Sequence, residues 1–125
     1  MTKVEFPRMR DDVMFALACL ADREYQHRVW VNRDAPPNYF DNLTANVNIL
    51  YDDCVVVPDP AARIGSVLVA GDEQDRLRGL DAVLGPLIDE LGEAPDDEYL
   101  ADPRWRLVVE KAAEALAAMI RADLR

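Results

Sequence analysis

The run DDEYLADPRWRLVVEKAAEALAAMIRADLR, residues 96–125, decides what kind of fold this chain can adopt. Asp102 is placed to accept from the free backbone N–H groups of a first helical turn, as an N-cap carboxylate does. Pro103 follows at the first helical position, where its missing N–H costs nothing. Trp105, Val108, Val109, Ala112, Leu116, Met119 and Ile120 then recur at three- and four-residue steps, along one face. Arg104, Arg106, Glu110, Lys111, Glu114 and Arg121 fall mostly on the other side. A helix cannot hold such a stripe in water, so the rest of the chain must cover it.

Working outward, three other segments offer matching stripes. Phe6-Pro7 leads into a helix over Arg8 to Leu20, with Met9, Val13, Ala16, Leu17 and Leu20 at helical spacing. Met14 and Phe15 widen that face, which predicts burial on more than one side. Asp41 is placed to cap a second helix, Asp41 to Asp53, whose stripe is Phe40, Leu43, Val47, Leu50, Tyr51 and Cys54. Gly71-Asp72 opens a third, with Leu77, Leu80, Leu84, Leu87, Ile88 and Leu91 leading to a terminating Gly92. Gly85-Pro86 interrupts it, and a kink is expected there because proline gives no N–H to the residue four back. Between helices, Tyr25, His27, Val29 and Val31 alternate with polar neighbours, as in a short strand or an extended connection. Val55-Val56-Val57 is a β-branched run that Ser66 to Ala70 could meet as a small hairpin. Helical segments nevertheless hold most of the apolar positions.

Composition narrows the function classes. At 125 residues the chain is long enough for a real core. Its 14 Lys and Arg against 24 Asp and Glu give a net charge of −10, which argues against the phosphate backbone of nucleic acid and an anionic membrane surface. Residues 1–33 carry six basic and five acidic groups, a net of +1, so the remaining 92 residues carry −11. Recognition of a basic surface would therefore use the later part. Arg23, Arg28 and Arg33 are expected to pair with the acidic helices. No apolar run approaches membrane-spanning length, and MTKVEFPRMRDD at residues 1–12 lacks the apolar region of a secretory leader, so a cytoplasmic location is expected.

Catalytic groups are scarce. Ser66 is the one serine and His27 the one histidine, so a nucleophile–base pair would need those singletons to meet. Cys19 and Cys54 lie in apolar segments and read as buried reduced thiols, and no Cys/His cluster suggests zinc. Glycine-rich phosphate loops and the Glu-x-x-His pairs of di-iron bundles are missing. The acidic candidates are Asp11-Asp12, Asp52-Asp53, Asp96-Asp97-Glu98, and Glu110 with Glu114, the last pair flanking the solvent side of its stripe. Asp52-Asp53 is the oddest, because it ends a helix whose dipole disfavours negative charge unless a cation sits close. Of the aromatics, Trp105 starts the main stripe and belongs to the core. Trp30 has no clear packed face and is the candidate exposed anchor, since tryptophan and tyrosine concentrate binding energy in interfaces.

Taken together, YDD at 51–53, DP at 59–60, IG at 64–65, LGPLIDELG at 84–92 and YLADPRWRLVVEKAAEAL at 99–116 carry a resemblance to a group of small acidic proteins from high-GC actinobacteria. The last of these is the most specific. What the resemblance implies is a compact helical domain and no particular activity. In size, acidity and want of catalytic residues the chain is also similar in type to helical immunity proteins of bacterial toxin systems, a likeness that transfers no site residues.

The sequence thus predicts one all-α domain over 1–125, a bundle of about four helices with a possible short hairpin in 54–70. The function expected is a non-catalytic protein-interaction module, immunity-like, that binds a basic protein without a cofactor. Trp30, Asp52, Asp53, Asp96, Asp97 and Glu98 are its candidate binding residues. The alternative is a carboxylate-metal enzyme or small-ligand binder using Asp52 and Asp53. A homodimer burying a leftover apolar strip is the third expectation.

Overall fold

Two long helices with facing leucine and alanine stripes frame the molecule. In a computed structural model, which describes residues 3–125, α4 (Asp72–Leu91) packs along α6 (Trp105–Asp123). Leu77, Leu80, Leu84 and Leu87 of α4 are at most 1 % exposed, as are Val108, Ala112, Ala115 and Met119 of α6. Each buried leucine contributes about 1.5–3 kcal/mol over leaving it in water, so this seam dominates the packing. The alanines let the two backbones approach closely. α1 (Pro7–Leu20) also packs on α6, burying Val13, Ala16, Leu17 and Leu20. α5 (Asp96–Ala101) is a short lead-in to α6.

The N-terminal half adds two shorter helices that both change pitch. α2 (Arg23–Tyr25) runs directly into a π-helical segment (Gln26–Val31), and α3 (Leu43–Asn48) into another (Ile49–Asp53). They end alike. Asn32 N donates to His27 O and Asp34 N to Arg28 O; Cys54 N donates to Ile49 O and Val56 N to Leu50 O. Each ending turns on a left-handed residue, Arg33 (φ 57°) and Val55 (φ 49°). A β-branched residue in that region is strained, since its Cβ meets the neighbouring carbonyl. α3 packs on α1, while the π segment after α2 meets α5. Two tryptophans link these parts to α6. Tyr25, Trp30, Trp105 and Tyr99 form an edge-to-face ladder with successive ring centroids 6.4 Å apart. Buried Gln26 accepts from Trp105 Nε1 at 2.9 Å and donates to the carbonyls of Cys19 and Leu20 at the end of α1.

The all-α class stands, with six helices and no strand among the described residues. Several local expectations give way. Residues 23–31 are helical, not extended: Asp22 accepts from Tyr25 N, and the buried positions are Gln26, Val29 and Trp30, a three- and four-residue spacing. The apparent alternation came from reading Tyr25, His27 and Val31 as one face. No hairpin forms in 54–70. Val56 and Val57 donate to Leu50 O, a 3₁₀ turn occupies Pro60–Arg63, and the sole pairing there is a bridge between Ile64 and Leu68. α4 runs from Asp72 to Leu91 with Pro86 inside it. Asp102 does accept from Arg104 N at 2.8 Å, as an N-cap carboxylate, though the regular helix α6 begins only at Trp105, after the turn that holds Pro103. α1 is covered on more than one side, by α6 and by α3, and Met14 packs against the core, but Phe15 is 56 % exposed and does not widen the buried face. Met1 and Thr2, within the stretch read for a leader, lie outside the described residues.

One buried ion pair fastens the frame. Arg10 on α1 donates bidentately to Glu73 at the start of α4, 2.8 Å at both oxygens, with both side chains almost fully buried. Arg10 also reaches Val67 O, Met119 O and Asp123, so its donors are well used. Burial opposes its charge, but the hydrogen bonds and charge of Glu73 outweigh that and raise its pKa further.

Candidate functional site

Because α3 packs on α1 while α4 packs on α6, the surface between α3 and the second half of α4 stays open. It forms a groove in two connected parts that share Val47 and Ile88. One part, about 710 Å³, is walled by Tyr51, Asp52 and Pro58 on one side and Asp81, Gly85 and Asp89 on the other. The second, about 540 Å³, continues past Leu43 and Ala94 to Glu93, Asp96 and Tyr99. The floor is largely apolar, whereas Asp52, Asp81, Asp89, Glu93 and Asp96 supply negative charge along the walls. No lysine, arginine or histidine lines either part.

The sequence of α4 explains this wall. Asp81, Gly85, Ile88 and Asp89 follow one another at helical steps along the flank of the leucine stripe. Tyr51 Oη donates to Asp81 at 2.6 Å, across the groove from α3 to α4. Burial and then Asp81 raise the Tyr51 phenol well above its ordinary value, so it stays a donor. Gly85 makes room for this contact: a Cβ there would lie 3.1 Å from the Asp81 carboxylate. Pro86 has no N–H to give to the Ala82 carbonyl. The groove thus presents apolar contact and carboxylates, but no cation.

Around the corner lies a second cleft, walled by Trp30, Val31, Arg33, Pro95, Asp96 and Asp97. Asp96 belongs to both and accepts from Leu43 N at 3.1 Å, holding the first turn of α3. Beneath it a buried polar hub ties α2 to α3. Asp41 accepts from Trp30 Nε1 and Tyr25 Oη, each at 2.8 Å, and from Asn46 Nδ2 at 2.9 Å. Asn42, not Asp41, caps α3 by accepting from Ala45 N. Burial first, then the Asp41 charge, pushes the nearby Cys19 thiol up to about 11, and burial raises Cys54 as well. Both are buried free thiols, unsuited to act as nucleophiles.

A family model described as Domain of unknown function (DUF7945) matches residues 4–125. The chain belongs to the DUF7945 family. No curated protein and no solved structure matches it.

In this DUF7945 chain the candidate binding residues are only partly gathered. Trp30, Asp96 and Asp97 meet at the second cleft, and Asp52 stands at the far end of the groove. Asp53 and Glu98 are exposed and line neither. Trp30 is 2 % exposed with its indole N–H given to Asp41, so burial removes it as a free-standing anchor. Asp52 and Asp53 form no ion pair among the described residues; the cation at that helix end, Arg63, donates its Nε to Cys54 O at 3.0 Å. The expected ion pairs of three arginines are not formed among the described residues. Arg23 donates to Leu100 O, Arg28 lies over Tyr25 and Arg33 over Phe40. For the metal alternative on Asp52 and Asp53, no group of three or more His, Cys, Asp or Glu among the described residues is placed to hold an ion. The sequence reading missed Asp81, Asp89 and Glu93. Their signal was the polar face of α4, legible only once a facing helix is known.

Among the described residues no helix is long and apolar enough to cross a membrane.

Proposed function

We propose that this chain is a non-catalytic binding protein whose α3–α4 groove receives a basic, amphipathic segment of another protein. The observation that carries the reading is the groove's one-sided charge: five carboxylates, an apolar floor and no cation on its lining. Lysine or arginine stems would lie on Val47 and Ile88 while their heads reach the rim, as amphipathic basic side chains do. Such contacts favour fast, salt-sensitive association. Neutralisation of a basic toxin, the role of immunity proteins of similar size and acidity, is one task such a surface would serve.

A fluorescent peptide alternating lysine and leucine at helical spacing provides a defined probe. It should bind the full chain at low salt and weaken as salt rises. Asp89→Lys with Glu93→Lys should abolish binding. The pair Asp11→Lys with Asp12→Lys, exposed on α1, changes the net charge equally and should leave most of it. Equal losses from the two pairs would mean that bulk charge, not the groove, attracts the peptide, and the reading would fall.

A further inference from the structure

The second cleft and the loop beside it form a surface of a different kind. Phe40 is 71 % exposed, the most exposed aromatic ring in the chain, and Tyr39 and Val31 next to it are 39 % and 37 % exposed. Arg33 lies 5.2 Å over the Phe40 ring, and none of its guanidinium donors reaches a protein oxygen among the described residues. Across the same cleft stand Asp96 and Asp97. Asp97 accepts no hydrogen bond and pairs with no cation among the described residues. A cation and a carboxylate therefore share one cleft without satisfying each other, beside an uncovered aromatic ring.

When a twofold axis passes between Arg33 and Asp97, each meets the opposite charge of the other copy, and the apolar residues beside them meet across the axis. We propose that this face is the interface of a homodimer, with Arg33 of each copy paired to Asp97 of the other and the two Phe40 rings covered between them. The acidic groove around the corner could not serve in this way, since two copies of a one-signed wall repel. The total charge of −10 on each copy does oppose association. At physiological salt it is screened beyond about 8 Å, whereas pairs in contact are not. Arginine stacked on an aromatic ring, with the ring's other face free, is also the composition found at interface hot spots.

Sedimentation of the full chain across a concentration series tests this. A reversible monomer–dimer equilibrium is expected. Arg33→Glu and Asp97→Lys should each raise the dissociation constant by more than about tenfold, since every substitution counts twice across the axis. Mixing the two variants one to one should restore the dimer, because each then offers the other a complementary pair. Phe40→Ser, which leaves both charges in place, should weaken it too. Circular dichroism checks that each variant folds. A monomer at every concentration overturns the proposal, and so does a dimer that the variants leave unchanged and mixing does not alter. Asp89→Lys with Glu93→Lys should leave the dimer intact, which separates failure here from failure of the groove reading.

Discussion

The α1–α4–α6 side and the α2–α3 side of this chain hold together by different means. The first is regular helix sealed by leucine against alanine, with one ion pair sunk between the ends. The second has helices that widen, left-handed endings at Arg33 and Val55, and a polar hub on Asp41 in place of an apolar seam. Both open surfaces described above border the second side. The contrast teaches that stability and exposed recognition surface are divided between two halves of one connected core. Substitutions in each half should therefore read differently.

The largest effect belongs to the frame. Glu73→Leu leaves the buried Arg10 with only the part-exposed Asp123 as a counter-charge and should cost about 3 kcal/mol, seen as a lower urea midpoint at unchanged slope. Replacing both partners together, Arg10→Met with Glu73→Leu, should recover much of that loss, since neither charge is then left unpaired. A double variant no better than the single would mean that the pair itself holds α1 to α4.

Next comes the hub. Asp41→Asn keeps the shape but turns an amide N–H₂ towards at least one of three donors, at a cost of about 1–3 kcal/mol. Hydrogen exchange should quicken over residues 23–53 while α4 and α6 keep their protection. Uniform quickening would erase the proposed division between the two sides.

The smallest change has the opposite sign. Val55→Gly relieves a β-branched side chain at φ 49° that is 41 % exposed, so little packing is lost. A gain of about 1 kcal/mol is expected after the added freedom of glycine in the unfolded chain is subtracted. A loss in the melting experiment would show that the Val55 side chain holds the end of α3 in place.

The same contrast explains what could be read from the residues alone. α4 and α6 were legible because their stripes keep the α period from end to end, Leu77 to Leu87 and Trp105 to Met119. α2 was not, because its buried set, Gln26, Val29 and Trp30, keeps helical spacing with only two apolar members, and a buried glutamine gives no apolar signal. Asp41 fits the pattern of a cap, and only tertiary structure brings Trp30 and Tyr25 onto it. Of the groove's carboxylates, Asp52 and Asp96 stood out because they belong to acidic runs. Asp81, Asp89 and Glu93 are isolated in sequence and become one wall only when α3 is laid opposite. Phe40 and Arg33 were misread: Phe40 keeps the spacing of the α3 stripe but precedes the helix and is 71 % exposed, and Arg33, expected to pair with a carboxylate, lies over its ring.

A π segment is one residue too many for an α-helix, fitted in by widening the coil. Within Gln26–Val31 that extra residue sets the angle at which the chain leaves α2. Removing it would restore the α pitch and swing everything downstream by about 100°, carrying Phe40 round with it. Single-residue deletions here would thus re-aim the loop before they unfold the chain, giving a means of steering its exposed ring by counting residues, with no change to the side chain itself.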